Sequence, residues 1–326
     1  MGEEFGNGAG GTGAGGLSDY VLPFQLASGA RGRLIRLGQA VDGILTKHAY
    51  PEPVLLLLGE AVALTAMLGA SLKFDGKFIL QTQSDGPVSF LVVQYSSPGH
   101  LRGYASYNRE ELMRATNGQI APEALLGGGH LAMTIDPGAG MERYQGIVAL
   151  ENGSLTGAAH EYFDRSEQIP TFIRIAVARH FDGSGGGAGQ WSWRAGGLMV
   201  QKLTAEGGRF GGGDETPPAP EADDDGWQRA LALAATVEDH ELLDPTLAPE
   251  RLLYRLFHQE EVRAFNASPL SARCNCSRER VEAMLSQFEP DELAGMADGN
   301  VIAVTCEFCN THYTFDADKH LKPSEE

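Results

Sequence analysis

The sequence predicts an α+β chain in three parts: an N-terminal domain of mostly antiparallel sheet with helices, a helical linker, and a small C-terminal metal-binding domain. Three observations predict it. Short apolar strands set off by turn residues fill residues 18–203, with a few helical stretches between them. After residue 203 the composition turns to Gly, Pro and acids, and two short amphipathic patterns follow. All four cysteines of the 326-residue chain fall between Cys274 and Cys309. That length suits one large domain plus a small one, and 42% hydrophobic residues suffice for a core without disulfides.

The elements follow in order. Residues 1–17, mostly Gly with two Glu, read as a flexible tail. Residues 20–26 and 33–37 read as strands around a turn at Ser28-Gly29. Residues 53–72 are apolar with small residues at helical spacing, which predicts a long buried helix. Strands are expected at 78–83 and 88–95 about the turn Asp85-Gly86-Pro87, then at 101–106, 130–135 and 144–149. Ser154 opens a helix to about Ser166, and Pro170 prevents its continuation. Strands at 171–179 and 191–202, joined by the Gly-rich loop 183–189, complete the domain.

Residues 206–225 read as a flexible acidic segment. Helices are expected at 227–238 and 249–259, the second with Leu252, Leu253, Leu256 and Phe257 on one side. Short acidic helices are marginal alone and need a partner surface. In the last module, 261–326, helices at 278–288 and 290–296 precede a hairpin over 301–315. The domains expected are therefore a tail (1–17), a core (18–203), an acidic metastable linker (204–260) and a zinc-binding module (261–326).

The net charge of −18 is unevenly placed. Residues 18–203 carry 16 acids and 15 bases, whereas 204–260 carry 13 acids against 4 bases and 261–326 carry 12 against 6. Half of the excess thus lies in the linker. Such a chain is a poor ligand for phosphate backbones, so no nucleic-acid partner is expected. No apolar run follows a basic N-terminal stretch, so no signal peptide is expected; the longest strictly apolar run, 54–58, is too short for a bilayer, so no membrane partner is expected. Few, clustered cysteines and no leader point to a reducing cytoplasm.

The pattern Cys274-x-Cys276 followed by Cys306-x-x-Cys309 carries the chemistry. Two pairs of thiols brought together by a hairpin suit tetrahedral coordination of one Zn²⁺ per chain. A module of this size rarely folds without such a staple. A thioredoxin-like motif is disfavoured, because its C-x-x-C opens a helix and this one lies in a hairpin. Each pair can also close a local disulfide, and oxidation would eject the metal, so the site can act as switch as well as staple. His312 is a spare ligand that four cysteines make unnecessary. His258 reads as an interface residue on its helix. Glu161 and Glu167 flank Tyr162-Phe163 as a solvated helix face, Ser166 lacks a partner base, and the Gly runs are not phosphate loops. Trp191 and Trp193 share one strand face, either beneath the linker helices or on the core. No catalytic residue is expected, and a zinc hydrolase would need an open metal position. The alternative is a zinc-ribbon binding protein with purely structural zinc.

The cysteine pattern, Tyr313-Thr-Phe315, Leu252-Leu-Tyr-Arg-Leu-Phe-His258, the run from Tyr162 through Ser166-Glu167-Gln168-Ile-Pro170-Thr171, and Gly196-Gly-Leu-Met-Val-Gln201 resemble the redox-regulated heat-shock holdase family, also called the 33 kDa chaperonins. The resemblance spans about 18–322 and departs in the tail, the 183–189 loop and the 206–225 segment. It implies an ATP-independent chaperone that is inactive while reduced and zinc-bound. Oxidation would form the disulfides Cys274–Cys276 and Cys306–Cys309, release zinc and unfold the linker. The oxidised protein would dimerise, hold unfolding clients, and pass them to ATP-driven chaperones after reduction.

Overall fold

A computed structural model of the chain describes residues 18–72, 75–115, 125–138, 141–150, 153–183, 189–202 and 224–318. The tail, the middle of the 183–189 loop and nearly all of the 206–225 segment lie outside the described residues.

The chain runs β1 (Tyr20–Gln25), β2 (Ala30–Leu37), α1 (Gln39–Leu45), α2 (Glu52–Gly69), β3 (Lys77–Ser84), β4 (Phe90–Ser96), β5 (His100–Ser106), α3 (Arg109–Ala115), β6 (Gly129–Asp136), β7 (Tyr144–Ala149), α4 (Leu155–Tyr162), β8 (Thr171–Asp182) and β9 (Gln190–Lys202). It continues through α5 (Asp224–Ala234), α6 (Asp239–Leu243) and α7 (Pro249–Phe257). It then forms β10 (Arg263–Ala264), β11 (Ser268–Pro269), β12 (Ser271–Ala272), α8 (Arg278–Leu285), α9 (Pro290–Met296), β13 (Val301–Thr305) and β14 (His312–Asp316). The expected α+β class is what the chain adopts.

Two sheets enclose one helix. The first has the order β10-β1-β2-β9-β8, with β11 also on β1; the second has the order β12-β5-β4-β3-β6-β7. Every pairing is antiparallel except β12 on β5. Pro51 and Pro53 start α2, whose fixed φ suits a first turn. The helix contacts β3, β4 and β5 on one side and β2, β8 and β9 on the other. It has the length and hydropathy of a membrane span, but 72% of that window is buried in the protein, as for a core helix. Ser154 caps α4 by accepting from the Gly157 amide at 2.9 Å, and the chain leaves through a π-helical turn, Phe163–Glu167, and left-handed Gln168.

The strands show which sheet is covered twice. In the second sheet burial alternates, with Phe78, Leu80 and Thr82 inward, so one face is wet. In the first sheet consecutive residues are apolar and buried. Val21, Ile35 and Met199 face α2, whereas Leu22, Phe24, Leu34, Leu198 and Val200 face the other way. That second face is covered by α5, α6 and α7 through Trp227, Leu242, Leu252, Leu253, Leu256 and Phe257. The Phe24 and Phe257 rings stack at 5.5 Å. The marginal helices thus have their partner surface. Polar ties hold it in register: buried Arg36 donates to the carbonyls of Glu241, at 3.0 Å, and Leu247, and Arg229 pairs with Glu260 at 2.9 Å.

Trp193 packs in the inter-sheet core and Trp191, at the strand tip, is exposed, so neither lies under the linker helices. His258 also differs from expectation: α7 turns it to solvent beside Tyr254, because Leu252, Leu253, Leu256 and Phe257 take the buried side.

Candidate metal centre

The cysteines are delivered by a strap and a hairpin. Residues 263–264 and 268–269 pair with β1, and 271–272 pair with β5, so the strap crosses from the first sheet to the second. It hands Cys274 and Cys276 to the N-terminus of α8, where the Ser277 side chain accepts from the Arg280 amide at 3.3 Å. Cys306 and Cys309 occupy the turn between β13 and β14. The Asn310 amide donates to the Cys306 carbonyl at 2.8 Å and the Cys306 amide to Thr311 at 2.9 Å. Asn310 takes φ 57°, a left-handed conformation that Asn tolerates.

All four thiols are free and half-buried, and their sulfurs lie within 4.8 Å of one another. The contacts across the two halves are Cys274–Cys306 at 3.7 Å and Cys276–Cys309 at 3.2 Å. A tetrahedral ion with thiolates at about 2.3 Å spaces its sulfurs about 3.8 Å apart. The cluster therefore fits such an ion with small adjustments. The donor set is soft and complete, leaving no open position for substrate.

The thiols are electrostatically unequal. Burial pushes Cys276 up to about 12, against a hydrogen bond from the Tyr313 hydroxyl at 3.2 Å. Burial also raises Cys306. For Cys309 the upward push of burial is outweighed by hydrogen bonds from Thr311 and the neighbouring thiols, which hold it down at about 6.

The other sequence candidates lie elsewhere. The His312 Nδ1 is 2.7 Å from the Thr305 hydroxyl and is not part of the cluster. Glu161 pairs with Arg165, and Glu167 accepts from the Tyr162 hydroxyl at 2.7 Å, so both serve their own helix and turn. The sequence reading missed the contacts that seat the centre on the core. Phe308 lies 4.1 Å beneath the Arg102 guanidinium, and His48 Nε2 donates to the Glu307 carbonyl at 2.7 Å. Arg273 donates to His100 Nε2 at 3.3 Å. No local signal marks such distant partners; a hydrophobic residue inside the C-x-x-C turn is the only hint.

The family model described as Hsp33 protein matches residues 19–316. The 33 kDa chaperonin of Caulobacter vibrioides (strain NA1000 / CB15N) is 43% identical over 305 residues, covering 92% of this chain and 95% of that protein. That of Ectopseudomonas mendocina is 40% identical over 293 residues, 88% of each chain. A crystal structure of the 33 kDa chaperonin (heat shock protein 33 homolog) of Thermotoga maritima superposes with a TM-score of 0.72 at 21% identity, over 93% of this chain and 97% of that one, and so shares the fold. With a family match over nearly the whole described chain and the four thiols gathered as a metal site, this chain belongs to the Hsp33 protein family, whose named members here are heat-shock chaperones.

Proposed function

We propose that this protein is a redox-switched, ATP-independent holdase, in which zinc held by Cys274, Cys276, Cys306 and Cys309 keeps an apolar sheet face covered. The observation that carries the reading is the physical chain from thiols to that face. The cysteines close a module whose small buried core, among the described residues, is Leu285, Leu293, Ile302, Phe315 and Ala317. The strap leading into it is the continuation of α7, and α5 to α7 cover Leu22, Phe24, Leu198 and Val200.

In this reading residues 18–203 are the client-binding and dimerisation domain, 204–260 the metastable linker, and 261–326 the switch. Oxidised to Cys274–Cys276 and Cys306–Cys309, the thiols no longer donate to a metal. All six distances of a tetrahedron are alike, so the present sulfur contacts do not select a pairing; sequence adjacency favours the local one. Without the staple the small core cannot offset its ordering entropy, the strap releases, and the acidic helices lose their anchor. The uncovered face then binds unfolding clients, and the protein dimerises. Reduction in the cytoplasm reverses this and passes clients to ATP-driven chaperones. A catalytic role has no support in the site, where every thiol is committed to the cluster.

Zinc content, free thiols and helicity before and after mild peroxide, with and without heat, test the switch. The reduced protein is expected to hold one zinc per chain, and oxidation to remove thiols, zinc and helicity together. Thiol loss with zinc and helicity retained would overturn it.

A further inference from the structure

The metal centre does not face open solvent on all sides. A cavity of about 320 Å³ is lined by Cys274, Cys276 and Cys309 of the centre, by Lys47 and Arg102 of the core, and by Arg273 of the strap. No acid lines it. Three cations line one cavity in a chain of net charge −18. Two of them are fixed: Arg102 is gripped by the Gln94 carbonyl oxygen at 2.7 and 3.3 Å and lies over Phe308, and Arg273 donates to His100. Lys47 is different. It is exposed, just beyond α1, and its ammonium makes no hydrogen bond or ion pair among the described residues.

We propose that this cavity is an entry site for small anionic oxidants, the peroxy-acid anions, which Lys47 and Arg102 draw onto the thiolates. This rests on the redox-switch reading above and names the oxidant class that the switch favours. A cationic, partly walled cleft concentrates anions next to its wall, and the effect is screened by salt. The step balances with a peroxy-acid anion as oxidant. A cysteine thiolate attacks the terminal peroxide oxygen, a sulfur–oxygen bond forms, and the O–O bond breaks. The acid leaves as its anion with the electron pair, and the sulfur is a sulfenic acid. A neighbouring thiolate then displaces hydroxide to form the disulfide. Two thiolates are oxidised by two electrons and the peroxide is reduced. Cations beside four thiolates also offset the charge of a metal–thiolate centre, but that role alone gives no preference between oxidants.

The test compares peroxymonosulfate, an anion, with hydrogen peroxide, which is neutral, on the full-length zinc-loaded protein. The readouts are the second-order rates of zinc release and thiol loss. Lys47→Gln is expected to slow peroxymonosulfate about three- to tenfold while changing the peroxide rate little, as for losing one nearby charge in a partly screened cleft. Lys47→Arg should restore the wild-type ratio, and added salt should erase the difference. Lys47 is exposed and its ammonium makes no hydrogen bond or ion pair among the described residues, so its variant removes a charge and breaks no polar contact. Equal slowing with both oxidants, or no change with either, would overturn the entry site. If the wild type releases no zinc with either oxidant, the redox switch itself fails, an outcome distinct from release that ignores Lys47.

Discussion

Cys306→Ser is expected to strip the metal and unfold the C-terminal module while leaving the two-sheet core intact. Five buried apolar side chains contribute at most roughly 1.5–3 kcal/mol each. Against them stands about 1–2 kcal/mol for every backbone residue that α8, α9, β13 and β14 must order. The apolar core falls short of that cost, so the module depends on its metal. Zinc per chain should fall close to zero, and hydrogen-exchange protection should vanish over α8, α9, β13 and β14. Protection across β3, β4 and β6, whose core is a separate cluster from that of α8, α9, β13 and β14, should persist. A zinc-free variant that keeps the module protected would show that the thiols are not its staple.

Lifting the linker without touching the thiols should activate the protein while it is still reduced. Gly196 on β9 leaves no room for a side chain: a Cβ there would sit 2.3 Å from the Leu242 carbonyl oxygen and 2.7 Å from its carbon, both backbone atoms of α6. Gly196→Val therefore pushes α6 off the sheet. Leu242→Asp reaches the same end from the linker side, by placing a carboxylate where the native side chain is fully buried. Each should disfavour docking by about 3 kcal/mol, roughly a hundredfold in the docked population. Both reduced variants are expected to retain zinc and to suppress aggregation of a heat-denatured client without oxidant. Loss of protection over α5 to α7 with no client binding would move the client surface away from this face.

Much of this arrangement was legible in the sequence. The strands at 20–26, 78–83 and 191–202 and the buried helix at 53–72 were expected from apolar runs bounded by turn residues, with no indication of which faces they bury. The cysteine site was legible because its ligands lie in two tight pairs beside a helix start and a hairpin, so spacing alone implies convergence. Three kinds of feature were not legible. The strap β10 to β12 consists of exposed two-residue pairings, which are too short to show any periodicity. Helix α6 is hidden because its five residues are mostly polar and its one buried side chain, Leu242, gives no pattern. The seat of the metal centre joins His48 to Glu307 and Arg102 to Phe308, pairs that only the completed fold brings together. The helices of 224–257 were expected to need a surface and they pack on one, the second face of the first sheet, which no local pattern names.

The most direct test of the switch is client protection across the redox transition. The reduced, zinc-loaded protein is mixed with a heat-denatured client, and light scattering is followed before and after brief hypochlorite treatment without ATP. Suppression should be absent before treatment, strong afterwards, and lost again once the thiols are reduced. Equal suppression in both states, or none after zinc has left, would contradict the switch.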